Sequence, residues 1–129
     1  MFTLAFEHTH RVLLVRYVGI FTPEDIVQLD RSVIEFVARQ GPVRGLLDFS
    51  NVEAFAVSHT LLVERGRLVA IMPSQERVIV APNAEIYELA RSYASQQRDF
   101  GNLEPRVVLS LCDAYRLLGL DKPDFQAIR

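Results

Sequence analysis

The chain has 129 residues, 50% hydrophobic and 23% charged. That is the size and composition of one globular domain, which excludes a disordered tract. The longest uncharged apolar stretch, Leu68 to Pro73, is far short of the ~20 residues that span a bilayer. A net charge of −2 gives no phosphate-neutralising balance, so no nucleic-acid partner is expected.

Phe2 to His8 alternates large apolar with smaller or polar residues and predicts a half-buried strand. Thr9-His10 turns the chain, and Arg11 to Tyr17, rich in Val and Leu, predicts a second strand antiparallel to the first. Thr22-Pro23-Glu24-Asp25 is a helix start: a capping hydroxyl, a proline at the first helical position and two acids at the positive helix end. Ile26, Leu29, Val33, Phe36 and Val37 recur at helical spacing until Gln40-Gly41-Pro42 ends the helix.

Val43 to Phe49 predicts a buried strand, followed by a loop from Ser50 to Ala56 with Val52 and Phe55 folded inward. A helix is expected from about Ser58, with Leu61, Leu62, Arg65, Leu68, Val69 and Met72 on one side and Pro73 closing it. Gly66 lies inside that helix, at a cost of about 1 kcal/mol relative to Ala. Arg77 to Ala81 predicts a strand, Pro82-Asn83 opens a helix carrying Ile86, Leu89, Ala90 and Tyr93, and Val107 to Leu109 predicts the last strand. Ser110 and Asp113 have the spacing of a capping box, leading into a short helix that ends near Gly119.

Strands alternating with helices predict an α/β fold. The expected sheet is mixed, with four or five strands, the first antiparallel to its neighbour, and helices packed against it. Residues 1–120 are expected to form a single domain and residues 121–129 a polar tail.

No G-x-S-x-G, Walker A, G-x-G-x-x-G or H-E-x-x-H motif is present, so an enzyme is not expected. No cofactor or metal is expected. His8 and His10 share a strand face without a third ligand nearby in sequence. Cys112 reads as a small apolar residue of a packed helix. As the single cysteine it excludes an internal disulfide and fits a reducing, cytoplasmic setting. The residues before His8 show no leader pattern. Lys122 is the only lysine, and the arginines are scattered.

The candidate binding residues are Asp48, Asn51, Ser58, His59 and Asn83. Asp48 stands at a strand end, where open α/β sheets place their sites, and equally suits a turn acid that accepts backbone N–H groups. Ser58 precedes a helical pattern and suits either an N-cap or a phosphoacceptor.

Leu46-Leu47-Asp48-Phe49-Ser50-Asn51-Val52 resembles the hydrophobic strand and Asp-Leu-Ser-x-Val of STAS domains, including SpoIIAA-type anti-sigma-factor antagonists. Val15 to Thr22 resembles the strand, Gly and helix cap preceding their first helix. Ser110 to Gly119 resembles the closing helix of SpoIIAA-like proteins. The resemblance implies a mixed sheet with packed helices, and partner binding that is often switched by phosphorylation, or small-ligand or lipid binding in related branches. The family's phosphoacceptor motif, Asp-Ser-Ser-Gly, falls on Ala56-Val57-Ser58-His59, so the acceptor serine is Val57 here. The first expectation is therefore a non-catalytic regulatory module that binds a protein partner without that switch. The alternative is a small-molecule or lipid carrier or sensor, with Phe55, Leu61, Leu62, Val69 and Met72 lining a pocket under the 50–58 loop. A homodimer suits either.

Overall fold

Alternation builds the first hairpin. In the computed structural model, which describes residues 1–128, β1 (Phe2–Glu7) pairs antiparallel with β2 (Val12–Phe21). Glu7 ties the turn by accepting the backbone N–H groups of Thr9 (3.2 Å) and His10 (2.7 Å). Helix α1 (Pro23–Gln40) starts on a reciprocal cap. The Thr22 hydroxyl accepts from the Asp25 N–H at 3.3 Å, and the Asp25 carboxylate accepts from the Thr22 N–H at 2.9 Å. Gly41, at φ 80°, takes the C-cap, a left-handed φ that favours glycine.

The chain continues as β3 (Arg44–Phe55), α2 (His59–Gly66), β4 (Arg77–Val80), α3 (Ala84–Phe100), β5 (Arg106–Val108), α4 (Leu111–Leu118) and β6 (Gln126–Ala127). The sheet order is β5-β4-β3-β2-β1-β6. Strands β2 to β5 run parallel, and β1 is antiparallel to both of its neighbours. Because successive side chains on a strand face opposite ways, each central strand feeds two cores. Val15 and Tyr17 of β2 pack with Phe49, Ile79, Leu62, Ile86 and Ala90 on the face covered by α1, α2 and α3. Val12 and Leu14 pack with Leu46, Val78, Val80, Ala114 and Leu118 on the face covered by α4.

Four sequence expectations are corrected. The sheet has six strands, not four or five, because Gln126–Ala127, in the tail, pairs with Phe6 and Ala5 on the free edge of β1. The expected loop from Ser50 to Ala56 is mostly strand, since β3 stays paired with β2 as far as Phe21 opposite Phe55. Cys112 is exposed in the first turn of α4 rather than packed.

The helix expected to reach Met72 ends at Gly66. The Gln97 side chain takes its place as a partner there, donating to the carbonyls of Gly66 (2.7 Å) and Leu68 (2.9 Å), and Asn102 donates to Leu68 as well (3.0 Å). Side chains from α3 and the turn after it thus satisfy backbone carbonyls that a continuing helix would have paired internally. Residues 67–73 then run irregularly across the end of the layer.

Candidate functional site

The five sequence candidates lie around the carboxyl ends of the parallel strands, and all but Asn51 make a local side-chain contact. Asp48, in β3, is 1% exposed on the α4 face. It accepts the Ser50 N–H at 2.9 Å, the Ser50 hydroxyl at 2.5 Å and Arg16 Nε at 3.2 Å. A buried carboxylate needs this full set of partners. Asn51 is exposed on β3 opposite Val18. Ser58 caps α2, its hydroxyl accepting the Leu61 N–H at 3.1 Å. Asn83 caps α3 in the same way, accepting the Ile86 N–H at 3.0 Å. His59 opens α2 and meets the Ser92 hydroxyl of α3 at 3.2 Å.

Asp48 and His59 therefore sit on opposite sides of the sheet and do not share a cleft. His8 packs edge-on against Phe6, while His10 bonds Glu7 through its ring at 3.0 Å. No group of three or more His, Cys, Asp or Glu side chains is placed to hold a metal ion among the described residues.

An open space lies on the other face, between the sheet and α1 to α3. A cavity of about 100 Å³ is lined by Phe21, Phe49, Phe55, Leu62, Ile86 and Leu89, among others. Beside it is a cavity of about 330 Å³, between α1, residues 68–72 and strands β2 to β4. Val33 and Ile34 of α1, Val43 and Met72 contribute its apolar wall. Leu29, Leu47, Arg65 and Tyr93 line both spaces, so the two adjoin.

Of the residues expected to line a pocket, Phe55 and Leu62 border the smaller space and Val69 and Met72 the larger, while Leu61 packs against the core. The pocket lies under α1, α2 and the segment after α2, not under a 50–58 loop. Ile34, Leu68, Val69 and Ile71 leave the larger cavity with an exposed apolar rim.

Arg65 of α2 stands where the cavities meet and makes two hydrogen bonds to the Asp30 carboxylate of α1. Burial disfavours its charge, but Asp30 outweighs burial and holds the guanidinium above its ordinary pKa. Burial, reinforced by Asp25, pushes the Tyr17 hydroxyl far up, so it stays a neutral phenol beneath the smaller cavity. Asp25 feels the opposite balance. Burial alone would raise it, but bonds from the Met1 ammonium (2.9 Å) and Thr22 hold it low.

The architecture matches solved structures over nearly its whole length. One is an uncharacterized protein of the DUF3478 family from Shewanella loihica PV-4, described as having a SpoIIAA-like fold. It shares 16% identity, with a TM-score of 0.57 over 92% of each chain. A second is the anti-sigma factor antagonist SpoIIAA in its unphosphorylated form, at 15% identity and a TM-score of 0.56, covering 93% of this chain and 100% of that one. The chain has the SpoIIAA-like fold.

No protein-family model and no curated protein matches the sequence. Val57, just before the Ser58 cap, is buried and packs into the core beneath α2.

Proposed function

We propose that the chain is a non-catalytic binding module that carries or senses a small apolar molecule, held between the sheet and helices α1 to α3. One observation carries this reading: a cavity of about 330 Å³ with an apolar wall and a few polar groups adjoins a second apolar space. Ligand pockets run from about 300 to 1,000 Å³ and combine such walls with a few orienting polar groups. The exposed apolar rim of Ile34, Leu68, Val69 and Ile71 gives such a molecule a way in. The separation of His59 from Asp48 and Cys112 by the sheet supports a role without chemistry.

Native mass spectrometry of protein purified from its own host tests the reading, alongside melting curves across a lipid and metabolite panel. A bound small molecule, or a rise in melting temperature with an apolar compound, is the expected result. Empty protein whose melting temperature no compound moves would contradict it.

A second reading, a regulatory module that binds a protein partner, is favoured by the likeness to an anti-sigma factor antagonist. It is also favoured by exposed Val18 and Ile20 on β2 and exposed Leu109 just after β5. In this reading no phosphoserine switch operates, since Val57 has no hydroxyl and Ser58 is engaged as a cap. A host protein retained by the native chain and released by Ile20→Asp would favour it over the first. With either reading we propose a cytoplasmic location, a setting in which the exposed thiol of Cys112 stays reduced.

A further inference from the structure

Two guanidinium groups and one carboxylate line the larger cavity: Arg65, Arg77 and Asp30. Arg65 is matched by Asp30. Arg77, at the start of β4, is not matched by any acid among the described residues. Its Nη1 donates to the Tyr93 hydroxyl at 2.9 Å, and its Nη2 donates to Gln97 Oε1 at 2.8 Å and to the Leu103 carbonyl at 3.0 Å. Its Nε is buried and has no partner at all.

A cation whose partners are all neutral, held against an apolar wall and shut off from water along one edge, is costly unless an anion joins it. Neighbouring groups also fix its position. Gln97 is pinned by its own two bonds to backbone carbonyls, so it cannot swing away from Arg77. The guanidinium is thus held in place and its charge is left over. The absence of a side chain at Gly45, whose added Cβ would touch Arg77 Cγ at 3.5 Å, leaves the stem of Arg77 lying directly on β3.

We propose that the larger cavity takes a single-chain amphiphile with a carboxylate head, the head paired to Arg77 and the chain lying along Val33, Ile34, Val43 and Met72. The inference rests on the ligand-binding reading above and adds the charge of the ligand and the residue that selects it. A carboxylate fits on two grounds. It cancels the unmatched charge of the wall, and the second N–H of Nη1, which no protein group takes, can donate it a charge-assisted hydrogen bond. The mouth suits entry of an alkyl chain, because Ile34, Leu68, Val69 and Ile71 make its rim apolar.

The test uses three probes with the same chain and different heads: decanoate, decanol and decylamine, titrated by calorimetry below their micelle-forming concentrations. The native protein should bind decanoate about tenfold or more tighter than decanol, and decylamine weakest. Arg77→Met, which keeps the length of the stem, should bring decanoate down to decanol while decanol binding holds. Arg77→Gln provides a second variant, and a melting curve on each shows whether it folds.

The outcomes separate the two claims. If no probe binds the native protein, the ligand-binding reading fails and this inference with it. If decanoate and decanol bind the native protein equally, the cavity is a binding site and the carboxylate inference alone is overturned. If the preference for decanoate survives in either folded Arg77 variant, Arg77 is not the residue that selects the head. Those last two results can be read without the variants or with only one of them.

Discussion

Gly66 offers the sharpest test of how α2 meets α3. On helix propensity alone, Gly66→Ala should stabilise by about 1 kcal/mol, since glycine is the poorer helix former. The structure predicts the opposite sign. A Cβ at this position would lie 2.4 Å from Gln96 Cβ, 3.0 Å from the Tyr93 carbonyl oxygen and 3.3 Å from Gln96 Cγ. Two of those atoms belong to the α3 backbone or sit directly on it, so no rotamer change relieves the contact. Helix α2 would have to move away from α3, stretching the bonds from Gln97 to the Gly66 and Leu68 carbonyls.

Overpacking of this kind costs about 1–3 kcal/mol, and a 2.4 Å approach to Gln96 Cβ puts it in the upper part, about 2–3 kcal/mol, more than the gain in propensity. The net expectation is a loss of about 1–2 kcal/mol, seen as a lower midpoint in urea at unchanged slope. In heat it should appear as a fall of about 3–8 °C in melting temperature. Ala at the exposed helical position Glu88 is the control and should be near neutral. A Gly66→Ala protein as stable as the native one, or more so, would refute the close approach of the two helices.

Three further predictions follow from single contacts. Ser58→Ala should cost about 0.5–2 kcal/mol through loss of the cap, whereas Ser58→Asp should be near neutral in a denaturant melt, because Asp also caps and its charge suits a helix start. Asp48→Ala should cost about 1–3 kcal/mol, chiefly by leaving the Ser50 N–H without its acceptor; Arg16, 40% exposed, can turn to water. Glu7 is subject to burial, which would raise it, but its bonds from His10 and Thr9 win and hold its pKa below the ordinary value. A carboxylate lowered in the fold contributes stability that is present above its unfolded pKa and is lost as pH falls through the folded one. Stability should therefore drop on acidification below the ordinary glutamate range, and Glu7→Gln should flatten that part of a stability–pH curve; an unchanged slope would remove Glu7 from the account.

Where local chemistry decided the structure, the sequence was readable. Thr22-Pro23-Glu24-Asp25 announces α1 because cap, proline and acids all act within one turn. Ser58, Asn83 and Ser110 announce the other three helices by the same physics. Where partners come from far along the chain, it was not. The end of α2 is set by Gln97 and Asn102, which no pattern within residues 58–73 reveals. The second half of β3 reads as a loop because it extends past β4, which pairs only with Gly45 to Asp48, so Ser50, Asn51 and Glu53 can be polar there without burying a charge. β6 is too short to show alternation and exists because β1 has a free edge.

The cavity was half legible. Phe55, Leu62, Val69 and Met72, expected to line a pocket, do so, whereas Leu61 does not; core and cavity linings have the same composition, and only the packing of α1 against residues 68–72 separates them. Arg77 carries no signal in the sequence, since its meaning lies in the missing carboxylate around it.

The central claim, a binding space between the sheet and α1 to α3, is tested most directly by methyl-resolved NMR during a titration with decanol. The account predicts saturable shifts concentrated on Val33, Ile34, Val43 and Met72, with Leu118 and Val78 on the α4 face unmoved. Shifts that never saturate, or that centre on the α4 face, would contradict it.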